Sequence, residues 1–123
     1  MRKTLALLLI LTLGCASARQ GSYYPPKFDV SAGEAGAAWT RAQVWVAEHA
    51  EEFGITPVLT LSETELKTAP PSGEAKIYVF VTRTKKRDGS WRFEVLADTG
   101  NPMASSTAAK VEVILSRYVA TGE

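Results

Sequence analysis

The spacing of apolar residues changes several times along the chain. Leu5 to Leu13 is an unbroken apolar run behind the positive pair Arg2-Lys3. From Ser31 the spacing becomes helical. At 100° per residue, Ala35, Trp39, Ala42, Val46, Ala50 and Phe53 share one face, with Arg41, Glu48 and Glu52 opposite and Trp45 and His49 on the border. Ser31-Ala-Gly-Glu34 has the form of a capping box, Val30 and Ala35 flank it, and Gly54 supplies the stop. The pattern predicts a helix from Ala32 to about Phe53.

Residues 55–71 show no clean period. Val58–Leu61 and Thr64–Thr68 both look extended, which predicts one irregular strand bent near Ser62; a short helix starting at Ser62 is the alternative. Pro70-Pro71-Ser72-Gly73 reads as a loop. Ala75–Arg83 and Trp91–Asp98 alternate with period two and read as strands joined by a turn at Asp88-Gly89. A three-residue loop, Arg87-Asp88-Gly89, pairs Val81 with Val95, Val79 with Ala97 and Arg83 with Phe93. It gathers Ile77, Val79, Val81, Trp91, Phe93 and Val95 on one face. A two-residue turn would place the valines and the aromatics on opposite faces, so the apolar pattern selects the longer loop with Gly89 left-handed. After Asn101-Pro102, Ser105 or Ser106 can cap a last helix with the stripe Thr107, Ala108, Val111, Ile114, Leu115 and Tyr118. Lys110, Glu112, Ser116 and Arg117 are left to water, and Gly122 closes the helix.

These elements predict a small two-layer α+β domain over residues 31–123. About three antiparallel strands carry two helices on one face, in the order α-β-β-β-α. Double-stranded RNA-binding domains share that order as a fold-level analogy. The basic start of their last helix has no counterpart here, where Lys110 is the only cation between Pro102 and Arg117.

The first run needs a different account. Positive head, short apolar stretch and small residues follow the plan of a secretory signal peptide. The run falls well short of the roughly 20 residues needed to span a bilayer. Cys15, the only cysteine, stands at its end. Gly14-Cys15 resembles the end of the lipobox of bacterial lipoproteins, although Thr12 and Leu13 stand where the commonest form has a leucine and a small residue. The resemblance implies cleavage after Gly14, a signal peptide over residues 1–14 and acylation of Cys15. Buried acyl chains contribute about 0.8 kcal/mol per methylene. Ala16 rather than Asp after the cysteine implies an outer-membrane lipoprotein facing the periplasm. Cleavage after the A-x-A site Ala16-Ser17-Ala18 is the rival; it would release a soluble secreted or periplasmic protein. Residues 15–30, with Pro25-Pro26, read as a tether reaching roughly 20 Å as a coil.

Charge narrows the use of the domain. Losing Arg2 and Lys3 leaves 12 basic residues of the original 14 against 13 acidic ones, so the net charge moves from +1 to −1. A near-neutral domain is a poor phosphate binder, which argues against nucleic acid as a partner. His49 is the only histidine, and Glu52 three residues on is its one nearby ligand-type neighbour. That set is poor for zinc, so no metal or cofactor is expected. No nucleophile elbow or similar motif appears, so no catalytic residue and no enzyme is expected. Two surfaces are candidates for interaction. Arg83, Lys85, Lys86 and Arg87 form a basic tip on the hairpin, suited to acidic headgroups or an acidic partner, or simply a solvated turn. Tyr78, Phe80 and Leu96 fall together on the sheet face opposite the valines, where a face meant only for water would be polar. Their cover is either a partner, a second copy, or the tether's own Tyr23, Tyr24 and Phe28. The expected function is a lipid-anchored, non-catalytic binding or assembly module attached to the membrane through Cys15 and contacting an unknown envelope protein. The alternative is a soluble protein with an unrecognised enzymatic or ligand-binding site.

Overall fold

The computed structural model describes residues 24–71 and 76–123, so the expected signal peptide, Cys15, Tyr23 and residues 72–75 lie outside the described residues. The chain runs through strand β1 (Lys27–Val30), helix α1 (Ala35–Phe53), strands β2 (Val58–Leu61), β3 (Glu65–Thr68), β4 (Ile77–Lys85) and β5 (Trp91–Thr99), a 3-10 turn (Pro102–Ala104) and helix α2 (Ser105–Thr121). The class is α+β as expected. The sheet has five antiparallel strands rather than about three, in the spatial order β1-β5-β4-β3-β2, and a strand precedes the first helix.

Both corrections arise in short segments with weak patterns. Lys27–Val30, assigned to the tether, pairs with β5, Phe28 opposite Phe93 and Val30 opposite Trp91. Four residues show too little alternation to stand out from a proline-bearing linker. Residues 58–68 form a hairpin of two strands rather than one bent strand, and the short helix at Ser62 is absent. The Ser62 hydroxyl accepts from the amides of Thr64 and Glu65 and so builds the turn instead.

The β4–β5 hairpin has the expected register, Val81 opposite Val95, Val79 opposite Ala97 and Arg83 opposite Phe93. Gly89 takes φ 90°, as the three-residue loop requires. Ile77, Val79, Val81, Phe93 and Val95 are buried against both helices. Helix α1 buries Ala35, Ala38, Trp39, Ala42, Trp45 and Val46, so Trp45 belongs to the core rather than its border. The capping box does not form: the helix begins at Ala35, and the Ser31 carbonyl, not its hydroxyl, receives the Glu34 and Ala35 amides. Helix α2 has no Ser105 or Ser106 side-chain cap either; the Asn101 side chain caps the 3-10 turn by accepting from Met103.

Two residues assigned to water serve the core. Ser116 is fully buried, and its hydroxyl donates to the Glu112 carbonyl one turn back at 2.6 Å, which removes the cost of burying it. Arg41 donates from Nε and Nη2 to the Val119 carbonyl, and from Nε to that of Tyr118. A cation there satisfies the Val119 carbonyl, adds to the Tyr118 carbonyl already bonded by the Gly122 amide, and sits at the favourable end of the α2 dipole.

Candidate functional site

The alternation that buries the valines sends Tyr78, Phe80 and Thr82 of β4 and Glu94, Leu96 and Asp98 of β5 to the other face of the sheet. Register sets Phe80 opposite Leu96 and Tyr78 opposite Asp98. Leu96 is 46 % exposed, while Tyr78 and Phe80 are half-buried. From β3, the Lys67 ammonium lies 5.6 Å from the centre of the Phe80 ring. The Tyr78 hydroxyl donates to Asp98 at 3.3 Å. Partial burial and the neighbouring Asp98 carboxylate push the Tyr78 phenol above its ordinary range. The apolar group is therefore ringed by polar ends and held by the two longest strands.

Beside it lies a groove of about 380 Å³. Strand β1 is short: its register ends at Lys27 opposite Glu94, and the Val95 amide donates one step further to the Pro26 carbonyl. Beyond that point β5 keeps β4 on one side but, among the described residues, has no strand on its β1 side. The groove opens there, walled by Pro26, Phe80, Val95 and Leu96 and rimmed by Glu94 and Lys27, whose charged ends are 3.9 Å apart. The Ala97 amide on this edge is taken by the Glu112 carboxylate of α2 at 3.1 Å. Glu112 was assigned to water. Its place one turn after the buried Ala108 was the signal that it flanks the apolar stripe.

Tyr24 and Phe28, two of the aromatic residues expected to cover this patch, lie elsewhere. Phe28 faces the helices and stacks on Phe93, ring centres 5.7 Å apart, and Tyr24 meets Phe28 edge-on at 5.9 Å. Neither covers Tyr78, Phe80 and Leu96, and Tyr23 lies outside the described residues.

The four residues of the basic tip are not brought together. Arg83 turns away: its guanidinium lies 4.9 Å from the Trp39 ring and 4.7 Å from the Trp91 ring, and it donates to the Glu63 and Ala35 carbonyls. Lys86 joins Arg92 around Asp29, at 2.8 and 2.9 Å. Hydrogen bonds from Arg92 and then Lys86 hold the Asp29 carboxyl down at about 2. Lys85 and Arg87 remain exposed.

His49 packs its ring on Trp45 at 4.5 Å, and its Nδ1 lies 2.9 Å from Glu52. Among the described residues no three His, Cys, Asp or Glu side chains are grouped to hold a metal ion. No helix of the described residues is long and apolar enough to cross a membrane. No protein-family model, curated protein or solved structure matches this chain.

Proposed function

We propose that this chain is a lipid-anchored bacterial envelope protein whose domain is a non-catalytic binding or assembly module. Its working surface is the outer face of the β4–β5 hairpin with the groove beside it. The observation that carries the reading is the grouping of Tyr78, Phe80 and Leu96 on a solvent-facing sheet surface. Neither tether aromatic within the described residues reaches it. An apolar patch rimmed by Lys67, Asp98, Glu94 and Lys27 has the anatomy of a protein contact, with an apolar centre and a charged border. Cys15 supplies the anchor on the strength of its place after the apolar run.

Two measurements test the two halves of the reading. Mass spectrometry of the mature N-terminus should find acylated Cys15, and Cys15→Ala should leave the membrane fraction; Arg19 as the mature N-terminus would remove the anchor. A photo-reactive amino acid at position 96 of the full chain should cross-link to one defined envelope polypeptide, and the same probe at Met103, 89 % exposed on the 3-10 turn, should not. Equal labelling from both positions would remove the surface.

A further inference from the structure

The sheet ends in two edges of different chemistry. Strand β1 is protected: Lys27 and Asp29 are exposed on it, and Pro25 and Pro26 precede it. Charges and prolines are the usual devices that stop an edge from pairing with another chain. Strand β2, Val58-Leu-Thr-Leu61, has no charge, and all four residues are exposed, Val58 at 49 %, Leu59 at 62 % and Leu61 at 53 %. Its one irregularity is a bulge between Val58 and Thr60.

Among the described residues, the hydrogen bonds show which backbone groups of β2 point away from the sheet. The Ser62 amide donates to the Glu65 carbonyl, and the Ala69 amide to that of Pro57. In an antiparallel ladder, bonded and non-bonded pairs alternate, so Val58 opposite Thr68 and Leu61 opposite Leu66 turn their N–H and C=O groups away from β3. Thr68 and Leu66 are buried on the helix-facing side. The bulge therefore gives Val58 and Leu61, three residues apart, the same side of the sheet and the same outward-pointing backbone.

We infer that β2 is a self-association edge and that its partner is β2 of a second copy, paired antiparallel about a two-fold axis. The strand is complementary to itself in one register. Val58 faces Leu61 of the second copy, and Leu61 faces its Val58, each pair exchanging both N–H···O bonds. Leu59 and Thr60 face one another across the axis. All four Val58 and Leu61 side chains then meet on the helix-facing side. Two four-residue edges bury less than the roughly 1,200 Å² of a standard interface, so the dimer is weak and concentration-dependent. Copies confined to one membrane would raise its occupancy by effective concentration, but the pairing itself does not depend on the anchor.

Cysteine cross-linking in the full chain reads the register directly. Val58→Cys and Leu61→Cys, co-expressed on differently tagged copies, should form a mixed disulfide dimer under mild oxidation. The yield should be several-fold above either variant alone and above the background of the native Cys15. Thr60→Lys, which sets two ammonium groups beside the axis, should abolish that cross-link while leaving the circular dichroism spectrum and melting temperature unchanged. A mixed yield no higher than that of Val44→Cys, exposed on α1, or a cross-linked product containing a different polypeptide, would overturn the proposal.

Discussion

Arg83 lies between the rings of Trp39 and Trp91, bonded to two carbonyls, and this makes it a packing residue with a charge rather than a surface cation. Its planar guanidinium can face two rings and still direct N–H groups sideways, which an ammonium cannot do. Arg83→Ala should lower unfolding free energy by about 2–3 kcal/mol in denaturant melts, with Arg83→Lys recovering only part of it. Asp29 is the second residue whose partners decide its role. Its carboxyl titrates at about 2 instead of 3.8, so the folded state binds its proton less readily than the unfolded chain does. That stabilisation is complete above the ordinary carboxylate value and is lost as pH falls through about 2. Asp29→Asn should therefore lower the melting temperature at pH 6, and the gap from the unmodified protein should close between pH 4 and pH 2. A gap independent of pH would mean that the cost lies in packing.

At the scale of elements, β1 completes the core although it is only four residues long. Phe28 covers Phe93, whose ring also meets Trp39, so the strand closes the end of an aromatic stack. Phe28→Ala should cost about 2–4 kcal/mol, more than a tether residue could, and calorimetry of the variant is the check. The long elements were legible in the sequence because their patterns repeat. Nine-residue strands β4 and β5 show enough alternation to fix even their register, and the stripes of α1 and α2 place most of the core. Elements of four residues were not legible. β1 hides behind Pro25-Pro26, and β2 and β3 blur because the bulge between Val58 and Thr60 breaks the period on which strand reading depends. The capping box failed for another reason: the chain turns at Ser31, but the Glu34 amide that the Ser31 hydroxyl would take is already bonded to the Ser31 carbonyl. Of the candidate surface, Tyr78, Phe80 and Leu96 could be placed by parity alone. The groove beside them depends on where β1 stops and on Glu112 reaching across from α2, which no local pattern encodes.

For the whole molecule, the two sheet edges divide the surroundings of the domain. The chain enters at β1, and β2 lies four strand spacings away, roughly 19 Å at 4.8 Å each. The proposed tether would join the domain at β1, at the opposite edge of the sheet from β2, with the outer face between them. The pairing of β1 with β5 also has a consequence in time. Lys27 and Glu94 are partners 67 positions apart in the sequence, so β1 has no mate until about three-quarters of the chain has followed. Under the export proposed above, amino end first, those early residues would wait unpaired, with Phe28 uncovered. Two prolines and two charged side chains in and around that stretch keep it soluble and single during the wait.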